Sequence, residues 1–217
     1  MNSFLTPLLG ALLGLIFGSA NHVSPTNPTK EAWTCDAPAW VGNPAVTNNL
    51  FVGTVEMKCH VQGLSGKGMT DLQAHMVDYI VANAETVHSG PTAETYQGMA
   101  STYTDVTVQL GNETESVLVR ADTHSATDGS TKLVYAVLSK EVAGTGQAKA
   151  LKKVDANYTV VPSSEAGFYE VTLASTAQVQ KPKLVPVGVF TSQVKSEMEK
   201  ELKATASDAL VEISSHL

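Results

Sequence analysis

Residues 187–215 read VGVFTSQVKSEMEKELKATASDALVEISS. Val187, Phe190, Val194, Met198, Leu202, Ala209 and Ile213 recur at helical spacing, with mostly polar residues between them. This spacing predicts one long amphipathic helix. At 1.5 Å per residue it would extend about 40 Å, enough to cross a whole sheet. Pro182 and Pro186 stand just before it and mark where the preceding strand stops, since proline cannot donate to a ladder.

Upstream of the helix the period changes from 3.6 to 2. Tyr169, Val171, Leu173, Ala177 and Val179 alternate with Glu170, Thr172 and Gln178, a half-buried strand. The turn at Ser163–Gly167 separates it from a strand over 148–161, and Gly144-Thr145-Gly146 separates that one from 133–142. The stretch 133–142 is apolar on both parities, as a central strand would be. Asp128-Gly129 is a hairpin signal, and Val117, Val119 and Ala121 alternate before it. Gly111-Asn112 turns the chain from a strand over 102–110. Further back, Thr70-Asp71-Leu72-Gln73 has the form of a capping box. Leu72, Met76, Tyr79, Ile80 and Val87 share one helical face, which Gly90-Pro91 is expected to terminate. Phe51, Val55, Met57, Cys59 and Val61 form the first strand.

The order is strand, helix, five strands, long helix. The predicted fold is α+β, an antiparallel sheet of about six strands packed on the C-terminal helix, in a single domain over 50–217. That order resembles the helix-grip arrangement of the START-like (SRPBCC) superfamily. There, an antiparallel sheet wraps around a long C-terminal helix and leaves a hydrophobic cavity between them. The resemblance covers Leu50–Leu217 and rests on element order and the terminal helix, without a sequence motif. One departure is that the family usually has two short helices after the first strand, where this chain has one longer one. The alternative is another helix-on-antiparallel-sheet fold. The resemblance implies a hydrophobic small molecule or lipid as ligand. Tyr135, Phe190, Val194 and Met198 are the candidate lining residues, and the same four would serve as plain core.

The chain begins MNSFLTPLLGALLGLIFGSA, uncharged from Phe4 to Ala20 and broken by Pro7, Gly10, Gly14 and Gly18. A spanning helix needs about 20 mostly apolar residues. The short run, ending in Gly18-Ser19-Ala20, is expected to be a signal peptide over 1–20, cleaved near Ala20, although no Lys or Arg opens it. An uncleaved anchor is the alternative. The chain would then be exported: periplasmic, cell-surface or secreted. Residues 21–49 carry prolines and both tryptophans, Trp33 and Trp40, and read as an extended arm. In an oxidising compartment Cys35 and Cys59 are a disulfide candidate, pinning the arm to the first strand.

Net charge is −7 and Arg120 is the only arginine, so the Lys/Arg clusters that bind phosphate are missing and no nucleic-acid partner is expected. Lys149, Lys152 and Lys153 make the one small basic group, read as a solvated strand face. No Cys-x-x-Cys or His-x-x-x-His spacing occurs, so neither a metal site nor a cofactor is expected. Gly63-Leu64-Ser65-Gly66-Lys67 is neither a nucleophile elbow nor a phosphate loop, since the required glycine and Ser or Thr positions are unmet. Arg120, Asp122 and His124 share one strand face and read as a solvated row. His75 lies at the edge of a helix's apolar stripe and reads as a packed boundary histidine. No catalytic residue is named. The expectation is an exported, non-enzymatic protein that binds a hydrophobic ligand. The alternatives are an envelope or secreted module that binds a protein partner and, less favoured, an enzyme of the same fold.

Overall fold

The computed structural model describes residues 32–72, 74, 75, 78, 86–96, 99–110, 115–125, 133–138 and 150–217. The opening stretch, expected to be a signal peptide, lies outside them. Among the described residues no helix is long and apolar enough to cross a membrane.

Among the described residues, nine strands form one antiparallel sheet: β1 (Trp33–Cys35), β2 (Ala39–Thr47), β3 (Leu50–Gln62), β4 (Thr86–Tyr96), β5 (Met99–Leu110), β6 (Glu115–Ser125), β7 (Leu133–Leu138), β8 (Leu151–Pro162) and β9 (Phe168–Gln180). Their spatial order is β1-β3-β9-β8-β7-β6-β5-β4, and β2 shares the outer edge of β3 with β1. The third strand, β3, therefore pairs with the last, β9, and the meander of hairpins runs outward from β9 to the far edge at β4. The C-terminal helix, Val187–His216, follows β9. The α+β class and the helix-on-sheet architecture agree with the alternation and periodicity of the sequence.

The sheet is larger than about six strands. Over its described part the arm is not merely extended: Trp33–Cys35 and Ala39–Thr47 are strands paired to β3. Pro44 is accommodated because β2 is an edge strand whose register shifts between Val41 and Ala45. The other addition is β4. Gly90-Pro91 does not end a helix; it lies inside β4, and Val87 is a strand residue paired with Val106. Gly90 takes a φ of 93°, and the register shifts on both sides of Ser89. A glycine in the left-handed region and a proline with no N–H suit a bulged edge strand as well as they suit a helix end. Helical residues after β3 begin at Met69, so Thr70 sits within the first turn rather than capping it. The N–H groups of Asp71 and Leu72 both reach the Gly68 carbonyl.

Alternation along β3 and β9 decides the core. Phe51, Val55, Met57, Cys59 and Val61 of β3 face the same side as Val171, Leu173, Ala177 and Val179 of β9, and all are buried. Leu151 and Val160 of β8 extend that face. The helix covers it with Phe190, Val194, Met198, Leu202, Ala206, Ala209, Leu210 and Ile213, and the terminal Leu217 continues the stripe. Val187, expected in the stripe, is half exposed. It sits in the first turn beside the exposed Leu184 and Val189.

Candidate functional site

The helix runs alongside β3 and is held at its middle and its end. Near its middle Glu199 accepts the indole N–H of Trp40, whose backbone pairs with Val55. Near its end the Ser214 carbonyl accepts the N–H of Leu64, and Leu217 lies against Gly63. A β-carbon on Gly63 would come within 2.9 Å of the Tyr169 ring and 3.1 Å of the Leu217 backbone. That glycine lets the chain turn close under the helix.

One flank of the helix is closed by β2. The Trp40 ring packs edge-on against Phe51 at 6.2 Å, and Lys195 Nζ stands 5.0 Å from its centre. At 100° per residue, Lys195 and Glu199 lie on one side of the buried stripe, and Val189, Gln193 and Glu197 lie on the other. Because β2 and β9 border opposite edges of β3, this second flank looks across β9 toward β8 and β7. The helix packs on β2, β3 and β9. The sheet continues five strands beyond β9, and its backbone register runs from Leu173 to Tyr158, from Tyr158 to Tyr135 and from Tyr135 to Thr123.

On the outer side of the helix, reaching onto this flank, lies an open groove of about 540 Å³, whose described lining is Gly188, Val189, Ser192, Gln193, Ser196 and Glu197. That volume is within the range of about 300–1,000 Å³ usual for small-molecule sites. The lining mixes one apolar side chain with hydroxyl, amide and carboxylate groups. One turn further along, burial pushes the Glu201 carboxyl above the ordinary carboxylate range, while Lys200 pulls it down and Glu197 adds to the rise. Within the core, the Ser175 hydroxyl is fully buried and finds no hydrogen-bond partner among the described residues.

The four residues picked out as lining candidates fall differently. Phe190, Val194 and Met198 are at 2%, 0% and 0% exposure, packed against the sheet in the core cluster, and none is in the described lining of the groove. Tyr135 lies on β7, one strand beyond β8. The groove residues are one or two positions away from the stripe. The apolar period points to the stripe, so it could not find them.

Cys35 and Cys59 form the disulfide expected of them, joining directly paired positions of β1 and β3 with Cα atoms 4.1 Å apart. Arg120, Asp122 and His124 hold alternate positions on β6, paired with Asp105, Tyr103 and Ser101 of β5. Of the small basic group, Lys153 pairs with Asp155 at 2.8 Å. His75 is placed by the helical segment after β3 against the end of the C-terminal helix. Its Nε2 is 2.5 Å from Glu212 Oε1, and its ring stacks on His216 at 3.8 Å.

No family model matches the chain, and no curated protein is significantly similar to it. Solved structures overlap it at low identity. The human StarD13 lipid transfer and protein localization domain is 13% identical, with 81% of this chain and 88% of that one covered and a TM-score of 0.41. A protein from Thermus thermophilus is 12% identical, with 74% and 96% covered and a TM-score of 0.45. A STAR-related lipid transfer protein from Xanthomonas axonopodis is 12% identical, with 80% and 99% covered and a TM-score of 0.38. Each TM-score is below 0.5, so the fold assignment rests on strand order and helix placement and not on these superpositions. By strand order and helix placement the chain has an α+β, helix-grip-like architecture, its antiparallel sheet packed on the C-terminal helix along β2, β3 and β9.

Proposed function

We propose that the chain is an exported, non-enzymatic protein that binds an amphipathic hydrophobic small molecule or lipid along the open flank of its C-terminal helix. The observation that carries this reading is the open groove of about 540 Å³ along the first three turns of the C-terminal helix. Helix and sheet are closed against each other on the β2 side by Trp40, so the opening is one-sided. An apolar body would lie over the sheet, with Ser192, Gln193 and Ser196 available to a polar end. The Cys35–Cys59 disulfide supports export, because such bonds persist in oxidising compartments.

Native mass spectrometry of protein purified from its own compartment tests both parts. The expected result is a mass lacking residues 1–20 and an adduct of a few hundred daltons that leaves on denaturation. A dansyl fatty acid should bind the emptied protein, and Ser196→Trp, which fills the groove, should weaken it at least tenfold. A bare mass together with no probe binding would overturn the ligand reading. A retained segment 1–20 would overturn cleavage.

A second reading, a module for an envelope or secreted protein partner, is favoured by Leu184 at 97%, Val187 at 50% and Val189 at 55% exposure, together at the entry to the C-terminal helix. Apolar side chains grouped at one end of a helix suit a contact surface. A co-purifying protein partner that is lost in Leu184→Ser would support it.

A further inference from the structure

His75, Glu212 and His216 come together although 137 residues of chain separate the first from the second. Glu212 and His216 are four apart on the last turns of the C-terminal helix, so they share a face. Asp71 and His75 are four apart on the facing helical segment. Ligand atoms of His75, Glu212 and His216 all lie within 4.8 Å of one another, and all three residues are half-buried. His216 uses its two ring nitrogens differently. Nδ1 meets Asp71 Oδ2 at 3.0 Å, and Nε2 faces Glu212 Oε1 at 3.7 Å. An Asp that accepts from Nδ1 fixes the tautomer with its lone pair on Nε2, the arrangement that carboxylates impose on metal-ligating histidines.

We propose that His75, Glu212 and His216 bind one divalent ion of the zinc class, with Asp71 as the carboxylate that orients His216. Two imidazoles and one carboxylate are a donor set that suits Zn²⁺ or Co²⁺ and suits Ca²⁺ or Mg²⁺ poorly. Ligands about 2.0–2.1 Å from a tetrahedral ion stand about 3.3 Å from one another. The ion would therefore spread the His75–Glu212 pair from 2.5 Å, draw the His216–Glu212 pair in from 3.7 Å, and turn one imidazole out of the 3.8 Å stack, since the in-plane lone pairs of parallel rings do not converge. The fourth position is left to water. The two ligand-bearing segments are the helical turn after β3 and the end of the C-terminal helix, so the ion would clasp them together.

The probe is Zn²⁺ or Co²⁺ added to the full metal-free chain. The expected result is one equivalent bound, a Co²⁺ visible spectrum of tetrahedral intensity, and a rise in thermal midpoint that a chelator reverses. Binding should weaken at least tenfold in His75→Gln and in Glu212→Gln, and between ten- and a hundredfold in Asp71→Asn. Chelated variants should melt close to the chelated parent, which separates loss of ligand from loss of fold. If a variant does not fold, X-ray absorption of the Zn²⁺-loaded parent decides, and fewer than two imidazoles overturns the site. Absence of stoichiometric binding, or binding unchanged in both His75→Gln and Glu212→Gln, also overturns it.

Discussion

The Trp40 indole donates its N–H to the Glu199 carboxylate, joining β2 to the C-terminal helix across 159 residues of chain. The same ring covers Gly53, where a β-carbon would come within 2.8 Å of both Trp40 and Pro44. A residue of the arm is thus what seals one flank of the helix. Trp40→Phe keeps the ring but removes the bond to a charged acceptor and weakens the Lys195 contact. The expected loss is about 1–3 kcal/mol, read as a lower urea midpoint with an unchanged slope. A change below about 0.3 kcal/mol would mean that the bond is fully replaced by water.

Gly53 carries a matching expectation from the other side. Gly53→Val places a branched side chain where Trp40, Pro44 and Phe51 already stand, and backbone and ring must both move. Overpacking of this kind costs about 1–3 kcal/mol or more. The variant should show lowered thermal stability and altered Trp fluorescence. In Trp40→Ala/Gly53→Val the penalty should shrink, because the ring that clashes is gone; an additive double variant would show that the clash lies elsewhere.

The Cys35–Cys59 bond closes a loop of 24 residues' separation, and the chain-entropy account gives roughly 3.5 kcal/mol for a loop of that length. Replacing both cysteines with serine should lower unfolding free energy by about 2–4 kcal/mol. Reduction of the parent should have the same effect, and reduction of the variant none. A variant as stable as the parent would show that pairing of β1 with β3 is sufficient without the bond.

His60 on β3 makes a 2.7 Å bond with Glu170 on β9, lies 3.5 Å from Glu165 and stacks on Phe168. The Glu170 bond raises its pKa above 6.5, with burial opposing. The folded state therefore holds the proton more tightly than the unfolded state. The stabilisation is complete below the unfolded value and fades as pH rises through the folded one. The gap in stability between parent and His60→Gln should be larger near pH 5 than near pH 9. Denaturant titrations at both pH values measure it, and an equal gap would mean that the carboxylates do not act on the ring.

How much of this was legible beforehand depended on the range of the signal. The C-terminal helix and the β9 alternation are written in contiguous residues, so period alone located them. Gly90-Pro91 was not decidable locally, because a helix end and a bulged edge strand want the same two residues. The arm looked extended because the partner that makes Trp33–Cys35 and Ala39–Thr47 into strands is β3, whose pairing is a tertiary fact. The meeting of His75 with Glu212 and His216 is of the same kind. A scan for two histidines four apart passes over a glutamate and a histidine four apart on one helix, completed by a histidine from elsewhere.

Ser175 makes a final case in which burial and chemistry disagree. Its position on β9 faces the core with Leu173 and Ala177, it is 0% exposed, and its hydroxyl has no partner among the described residues. A buried hydroxyl without a partner costs about 1–3 kcal/mol relative to a satisfied one. Ser175→Ala removes the hydroxyl without changing the shape much, so the ligand-free protein should gain about 1 kcal/mol in a urea titration. If the hydroxyl instead serves the bound molecule, the ligand-loaded protein should gain less than the emptied one, and the dansyl fatty acid should bind the variant more weakly. A loss of stability in the emptied protein would show that the hydroxyl is already satisfied there.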